Sequence, residues 1–158
     1  MGVQKTNAMR ILDKAKISYN IITYENKDGK VDGVAVAKKI GRANEEVFKT
    51  LVTISNTKNI YVFVIPVDKE LDFKKAAKVT SEKSIEMINV NDLQKLTGYI
   101  RGGCSPIGMK KQYDTFIHNS AEELKTIIFS AGKIGFQLEV ATKDLKDVID
   151  FNYHDIIK

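Results

Sequence analysis

Three places in this sequence carry residue types that can do chemistry. Gly102-Gly103-Cys104-Ser105-Pro106-Ile107-Gly108 gathers three glycines, a hydroxyl, the only cysteine and one of two prolines. Paired glycines let a backbone turn through positive φ and approach a ligand closely, while Pro106 fixes its own φ and pushes Ser105 towards an extended conformation. Such a rigid loop offers N–H groups to an anion or to the oxyanion of a tetrahedral intermediate; it also serves as a plain tight turn. Lys49, bracketed by Phe48 and Leu51, places an ammonium beside apolar surface, held there for function or snorkelling to water. Tyr24, at the end of a predicted strand, either turns its phenol to a pocket or covers the rim of the core. His118 and His154 stand in no spacing that implicates them with Cys104, and no Cys/His spacing resembles a metal site.

Composition narrows the classes. A chain of 158 residues with 43% hydrophobic and 28% charged residues is long enough for one domain with a real core and lies away from disordered sequences. Twenty-five basic against 20 acidic residues leave +5, and the pI is near 9.1, which favours an anionic partner such as RNA without demanding one. No apolar run approaches the roughly 18 residues of a membrane helix, and the polar Gln4, Thr6 and Asn7 interrupt any signal-peptide core. A single cysteine forms no internal disulfide. The expected location is the cytoplasm, away from membranes.

The elements that must hold these residues follow from periodicity and punctuation. Thr6 caps a predicted helix whose Ala8, Ile11, Leu12 and Ala15 share one face, and residues 17–24 read as a strand ending in the Asp28-Gly29 turn. Asp32 caps a short helix over 33–40, stopped by Gly41, and a turn from Asn44, with Glu45 and Glu46 at its positive end, leads into a strand over 50–55. Asn56-Thr57-Lys58-Asn59 joins that strand to the run 60–65 in a hairpin closed by Pro66. A helix over 71–79 turns Lys74, Lys75 and Lys78 to solvent or to phosphates. A strand near 84–88 and a helix over 91–96 precede the glycine loop. Strands over 113–118, 126–130 and 135–140 follow, with a helical turn over 120–124 and a last helix over 143–149 capped by Thr142. About seven strands and about four or five short helices in mixed order predict an α+β fold. The expectation is a single domain spanning 1–158, its largely antiparallel, curved or barrel-like sheet surrounded by helices.

Read in order, several stretches resemble one family over nearly the whole chain. They are Lys16-Ile17-Ser18-Tyr19 to Thr23-Tyr24-Glu25, Val47-Phe48-Lys49-Thr50-Leu51, Leu71-Asp72-Phe73-Lys74-Lys75-Ala76-Ala77, Thr97-Gly98-Tyr99, the glycine loop, and Ser130-Ala131-Gly132-Lys133 with Leu138-Glu139-Val140. The chain is similar to the YbaK-type aminoacyl-tRNA deacylases, relatives of the editing domain inserted in bacterial prolyl-tRNA synthetases. The resemblance implies a free-standing trans-editing hydrolase that cleaves the ester of a mischarged tRNA, typically Cys-tRNA(Pro), without a protein nucleophile, the substrate thiol or a water attacking. It implies Lys49 and Gly103 as catalytic residues, Lys49 acting electrostatically on the terminal adenosine. Tyr24, Thr50, Gly102, Ser105, Pro106 and Ser130 are implied as substrate contacts. No cofactor or metal is implied; the partners are the acceptor end of an aminoacyl-tRNA and, in some settings, prolyl-tRNA synthetase. A deacylase for another small amino acid such as alanine, or a non-catalytic tRNA- or synthetase-binding module, stays open. Gln137 departs from the pattern, standing where some relatives have an acidic residue, and Cys104 falls at a permissive position.

Overall fold

The computed structural model describes residues 4–158. Strand β3 (Ile60–Pro66) is the centre of the fold because nearly every residue in it is apolar. Val62 and Val64 enter one core, while Tyr61, Phe63 and Ile65 enter another. A strand buried on both faces needs a layer on each side. β3 pairs antiparallel with β2 (Phe48–Ser55) and parallel with β5 (Asp114–His118); β4 (Ile85–Met87) and β8 (Phe151–His154) complete a five-stranded sheet in the order β4-β2-β3-β5-β8.

A second sheet of three antiparallel strands, β1 (Tyr19–Thr23), β7 (Phe136–Ala141) and β6 (Thr126–Ser130), packs over the first, and a single bridge between Val47 and Ile128 links them. Ile127, Phe129, Leu138 and Val140 from the small sheet meet Val52, Val62, Ile117 and Phe151 from the large one in the main core. Helix α1 (Asn7–Lys14) closes that core with Ala8, Met9 and Leu12, started by Thr6, whose hydroxyl accepts from Met9 N–H. Helix α2 (Gly33–Lys39) covers the outer face of the small sheet through Ala37 and Ile128, and α3 (Phe73–Thr80) covers the large sheet through Ala76 and Ala77. Asp72 begins α3 by accepting from Lys74 and Lys75 N–H.

The α+β expectation holds, with corrections in detail. The sheet is split in two rather than continuous, and β3/β5 and β5/β8 are parallel pairs. Strand β8 escapes a periodicity reading because it is 4 residues long and half polar. The segment Thr142–Asp147 is a 3₁₀ turn, and Thr142 does not cap it, because its hydroxyl donates to Leu124 carbonyl. Ala15 lies just beyond α1 and is exposed.

One ion pair ties the helical layer to the small sheet. Arg42 donates to both carboxylate oxygens of Glu139 on β7, at 3.1 and 2.8 Å, and to Glu46 at 3.1 Å, while Thr126 donates to Glu139 at 2.7 Å. The Arg42 hydrogen bonds hold Glu139 well below its ordinary 4.5, at about 2. A depressed folded-state value means that this stabilisation is present above the unfolded value and is lost as pH falls towards about 2. Glu139→Gln is therefore expected to be less stable than wild type at neutral pH, with the gap narrowing as pH drops below 4.5, as urea melts at several pH values would read. A gap that stays constant would mean that the pair contributes no pH-dependent stability.

Candidate active site

The small sheet, α2 and the start of β2 enclose a cleft of about 650 Å³. That volume lies within the range of small-molecule sites. Its inner wall carries Phe48, Ser130 and Gln137, which are 2%, 9% and 6% exposed, and its rim carries the exposed Asp32, Val34 and Arg101.

Lys49 reaches this cleft from the start of β2, half-buried, with no ion pair or hydrogen bond among the described residues. Burial lowers its pKa, and the fields of Glu70 and Asp68 only partly oppose that. Thr50, the next residue, also lines the cleft, and its hydroxyl is fully buried without a partner. Strand register adds a main-chain donor. Val67 N–H donates to Val47 carbonyl and Ile88 N–H to Val52 carbonyl, so odd-numbered residues of β2 turn their main chain to β3 and even-numbered ones to β4. Because β4 pairs only with Thr53 to Ser55, the N–H and C=O of Thr50 lie beyond the reach of β4, on the side where β6 bridges β2 at Val47 and Ile128.

The glycine loop divides into a part that meets the cleft and a part that supports it. Gly102, at φ +86°, is the positive-φ residue of a turn closed by Gly103 N–H donating to Ile100 carbonyl at 3.0 Å. Gly102 and Cys104 line the cleft. Gly103 does not, and its N–H is committed to closing the turn. Ser105 and Pro106 are buried behind the loop; the Ser105 hydroxyl accepts from Ile107 N–H, which shapes the turn and leaves no contact with the cleft. Tyr99 is wedged between this loop and the Ser130-Ala131-Gly132 turn and donates its hydroxyl to Ile107 carbonyl. Ser130 lines the cleft, its oxygen accepting from Gly132 N–H at 3.1 Å.

Tyr24 lies just beyond β1, its N–H donating to Gly135 carbonyl, with Lys39 Nζ 5.9 Å from its ring centroid. Its hydroxyl is buried and unpartnered, although Tyr24 does not line the cleft. Lys39 also donates to Glu25 and Lys30 carbonyls and to Asp28, fixing the segment that brings Gly29 and Val31 to the cleft. That 29–34 segment and Arg101 were not singled out from sequence, although the Asp28-Gly29 turn and the Asp32 cap, which accepts from Ala35 N–H, mark where it bends.

No nucleophile–base pair is present among the residues lining the cleft. Burial pushes the Cys104 thiol up to about 12, and neither histidine lines the cleft; His118 bonds Ser120 and Asp155 elsewhere. Thiolate chemistry needs a depressed value, not a raised one. Cys104→Ser is accordingly expected to keep wild-type ester hydrolysis, measured as first-order loss of labelled amino acid from tRNA. Inactivation of a folded Cys104→Ser protein would show that the thiol participates.

The model of the aminoacyl-tRNA editing domain matches residues 30–148. The chain belongs to this family. The chain is 42% identical over 153 residues to EbsC of Enterococcus faecalis, covering 97% of this chain and 93% of that protein, whose name describes a Cys-tRNA(Pro)/Cys-tRNA(Cys) deacylase. Among solved structures, the hypothetical protein APE2540 superposes with a TM-score of 0.84 at 18% identity, over 97% of this chain and 100% of that one. A structure described as a trans-editing enzyme for prolyl tRNA synthetase gives 0.83 at 16%, over 99% of each chain. At such identities these structures speak for the fold of the editing domain alone. No helix among its described residues is long and apolar enough to cross a membrane.

Proposed function

We propose that this protein is a trans-editing hydrolase that cleaves the aminoacyl ester of mischarged tRNA, with Cys-tRNA(Pro) as its substrate. The observation that carries the reading is that a half-buried Lys49 ammonium and a buried Thr50 hydroxyl, neither with a partner among the described residues, both belong to residues lining the cleft of an editing-family chain. Buried polar groups without partners are costly and mark places where a ligand completes the hydrogen bonding. The name of the E. faecalis relative supports the choice of amino acid and tRNA. The whole chain, 1–158, is taken as one editing domain.

An aminoacyl ester is already activated, so holding it and stabilising the developing charge supply the catalysis. In this reading Lys49 orients the phosphate or ribose oxygens of the terminal adenosine, and Thr50 offers its hydroxyl and the main-chain N–H of the β2 edge. Gly102 permits close approach, and Ser130 lines the inner wall. Tyr24 supplies a buried hydroxyl behind it. Gly103, Ser105 and Pro106 act by shaping the loop. Water or the substrate's own thiol attacks the ester carbonyl, the ribose hydroxyl leaves with a proton, and no acyl-enzyme forms. Arg101 at the rim suits the acceptor-end phosphates, and prolyl-tRNA synthetase is a partner consistent with a free-standing editor.

The test is deacylation of a panel of purified aminoacyl-tRNAs, including Cys-tRNA(Pro), Ala-tRNA(Pro), Pro-tRNA(Pro) and Cys-tRNA(Cys), with and without prolyl-tRNA synthetase. Release of cysteine from tRNA(Pro) by the protein alone is expected, with Pro-tRNA(Pro) spared. Binding of tRNA without hydrolysis of any member would instead identify a binding module.

A further inference from the structure

Gln137 is 6% exposed, lies on β7 opposite Ile22 and Ser130, and lines the inner wall of the cleft with no side-chain hydrogen bond to the described residues. An amide whose side chain makes no hydrogen bond to the described residues leaves hydrogen-bonding capacity for a ligand. The charges around it are arranged unusually for a site that takes an amino acid. From β2 comes Lys49, a cation, with Asp68 and Glu70 acting on it from beyond the cleft lining. From the start of α2 comes Asp32, exposed at the rim with one oxygen already accepting from Ala35 N–H, and from the glycine loop comes the exposed Arg101. On β7 itself Glu139 is taken by Arg42 and Thr126, and from the end of α2 Lys39 is engaged with Glu25, Asp28 and Lys30. The neighbouring Cys104 thiol is held protonated by burial.

The residues lining the cleft offer an amide, a serine hydroxyl and a threonine hydroxyl, with Lys49 as the half-buried cation and Asp32, exposed at the rim, as the one carboxylate among the described lining residues. An α-ammonium brought to the inner wall beside Gln137 would lose its water and meet the field of Lys49, with a carboxylate offered only at the solvent-exposed rim. The same amine without its extra proton is both donor and acceptor, which matches a glutamine amide, itself donor and acceptor.

We propose that Gln137 is a specificity residue that receives the substrate's α-amino group in its uncharged form. The inference rests on the aminoacyl-ester reading given above. It adds a selection that a carboxylate at this position would reverse, since Glu or Asp would stabilise the ammonium. A free α-amino group titrates at about 7.7 to 8.0, so the competent fraction of substrate rises steeply through neutrality.

The test is binding of a non-hydrolysable 3′-amide analogue, 3′-(2-aminobutyryl)amino-3′-deoxyadenosine, in which a methyl replaces the cysteine thiol and only the amine titrates. Its butyryl counterpart, which lacks the amine, controls for titration of the protein, Lys49 included. Dissociation constants are measured by calorimetry at pH 6 and pH 9 for wild type, Gln137→Glu and Gln137→Met. Wild type is expected to bind the amine analogue at least about tenfold more tightly at pH 9 than at pH 6, relative to the butyryl control. Gln137→Glu should flatten or invert that ratio, and Gln137→Met should weaken binding of the amine analogue at pH 9 but not of the control. Equal or tighter wild-type binding at pH 6 would overturn the proposal. If neither analogue binds at either pH, the aminoacyl-ester reading itself fails and takes this inference with it.

Discussion

Lys49→Ala is expected to lose about 10²- to 10³-fold in the rate of aminoacyl ester cleavage, the range found when one preorganised electrostatic contact is removed from a water-poor site. The loss should appear in both kcat and kcat/KM if the ammonium acts on charge that develops in the transition state. It should appear mainly in KM if Lys49 only holds the phosphate. Stability should move the other way. Lys49 is half-buried with a lowered pKa and no ion-pair partner, so the folded state carries a desolvated charge that the variant relieves. Lys49→Met, which keeps the stem and removes the charge, is expected to melt at or above the wild-type temperature while remaining inactive. Wild-type turnover by either variant would make Lys49 a lysine that merely reaches for solvent.

A large effect on stability is expected at Gly132. Its φ is +96°, and a Cβ built there would sit 2.7 Å from Tyr99 Cε1 and 3.3 Å from Cζ. Tyr99 has nowhere to go, because it is 7% exposed and its hydroxyl is bonded to Ile107 carbonyl. Gly132→Ala therefore combines left-handed strain of about 1 to 2 kcal/mol with overpacking of about 1 to 3 kcal/mol. About 3 kcal/mol corresponds to a fall of about 6 to 12 °C in melting temperature for a domain of this size. Gly41→Ala is the matched control, with φ +69° and nothing within 4 Å of the added carbon; it should show the strain alone. If the two variants melt together, Tyr99 is not the rigid strut that its contacts suggest.

Which backbone groups are already hydrogen-bonded separates the site residues legible in the sequence from those that are not. Lys49, Thr50, Gly102 and Ser130 were legible because residue type and position along a strand or turn place them, and all four line the cleft. Gly103 was not legible in the same way. A pair of glycines tells that a turn is present, but which N–H closes it depends on which glycine takes positive φ; here Gly102 does, and Gly103 N–H becomes the closing bond. Ser105 and Pro106, which the resemblance implies as substrate contacts, are buried, with the Ser105 hydroxyl accepting from Ile107 N–H within the loop. That the Thr50 main chain lies beyond the reach of β4 could not be read from the chain, because it depends on β4 pairing with only part of β2. Most of the fold followed from alternation and caps, whereas β8 and the parallel pairs around β5 depend on contacts distant in sequence.

The three-stranded sheet has a consequence for how the molecule is made. Strand β1 pairs only with β7, Tyr19 against Val140, so it waits for a strand more than a hundred residues further along. Gln137 of the inner wall takes part in that distant pairing, opposite Ile22, while Ser130 joins it through the local β6/β7 pair. Contacts so far apart in sequence slow folding and keep the early strand's edge exposed meanwhile. On the ribosome, therefore, Tyr24 and Lys49 emerge long before anything can enclose them. An editing domain built this way gains its cleft only once β7 has left the exit tunnel.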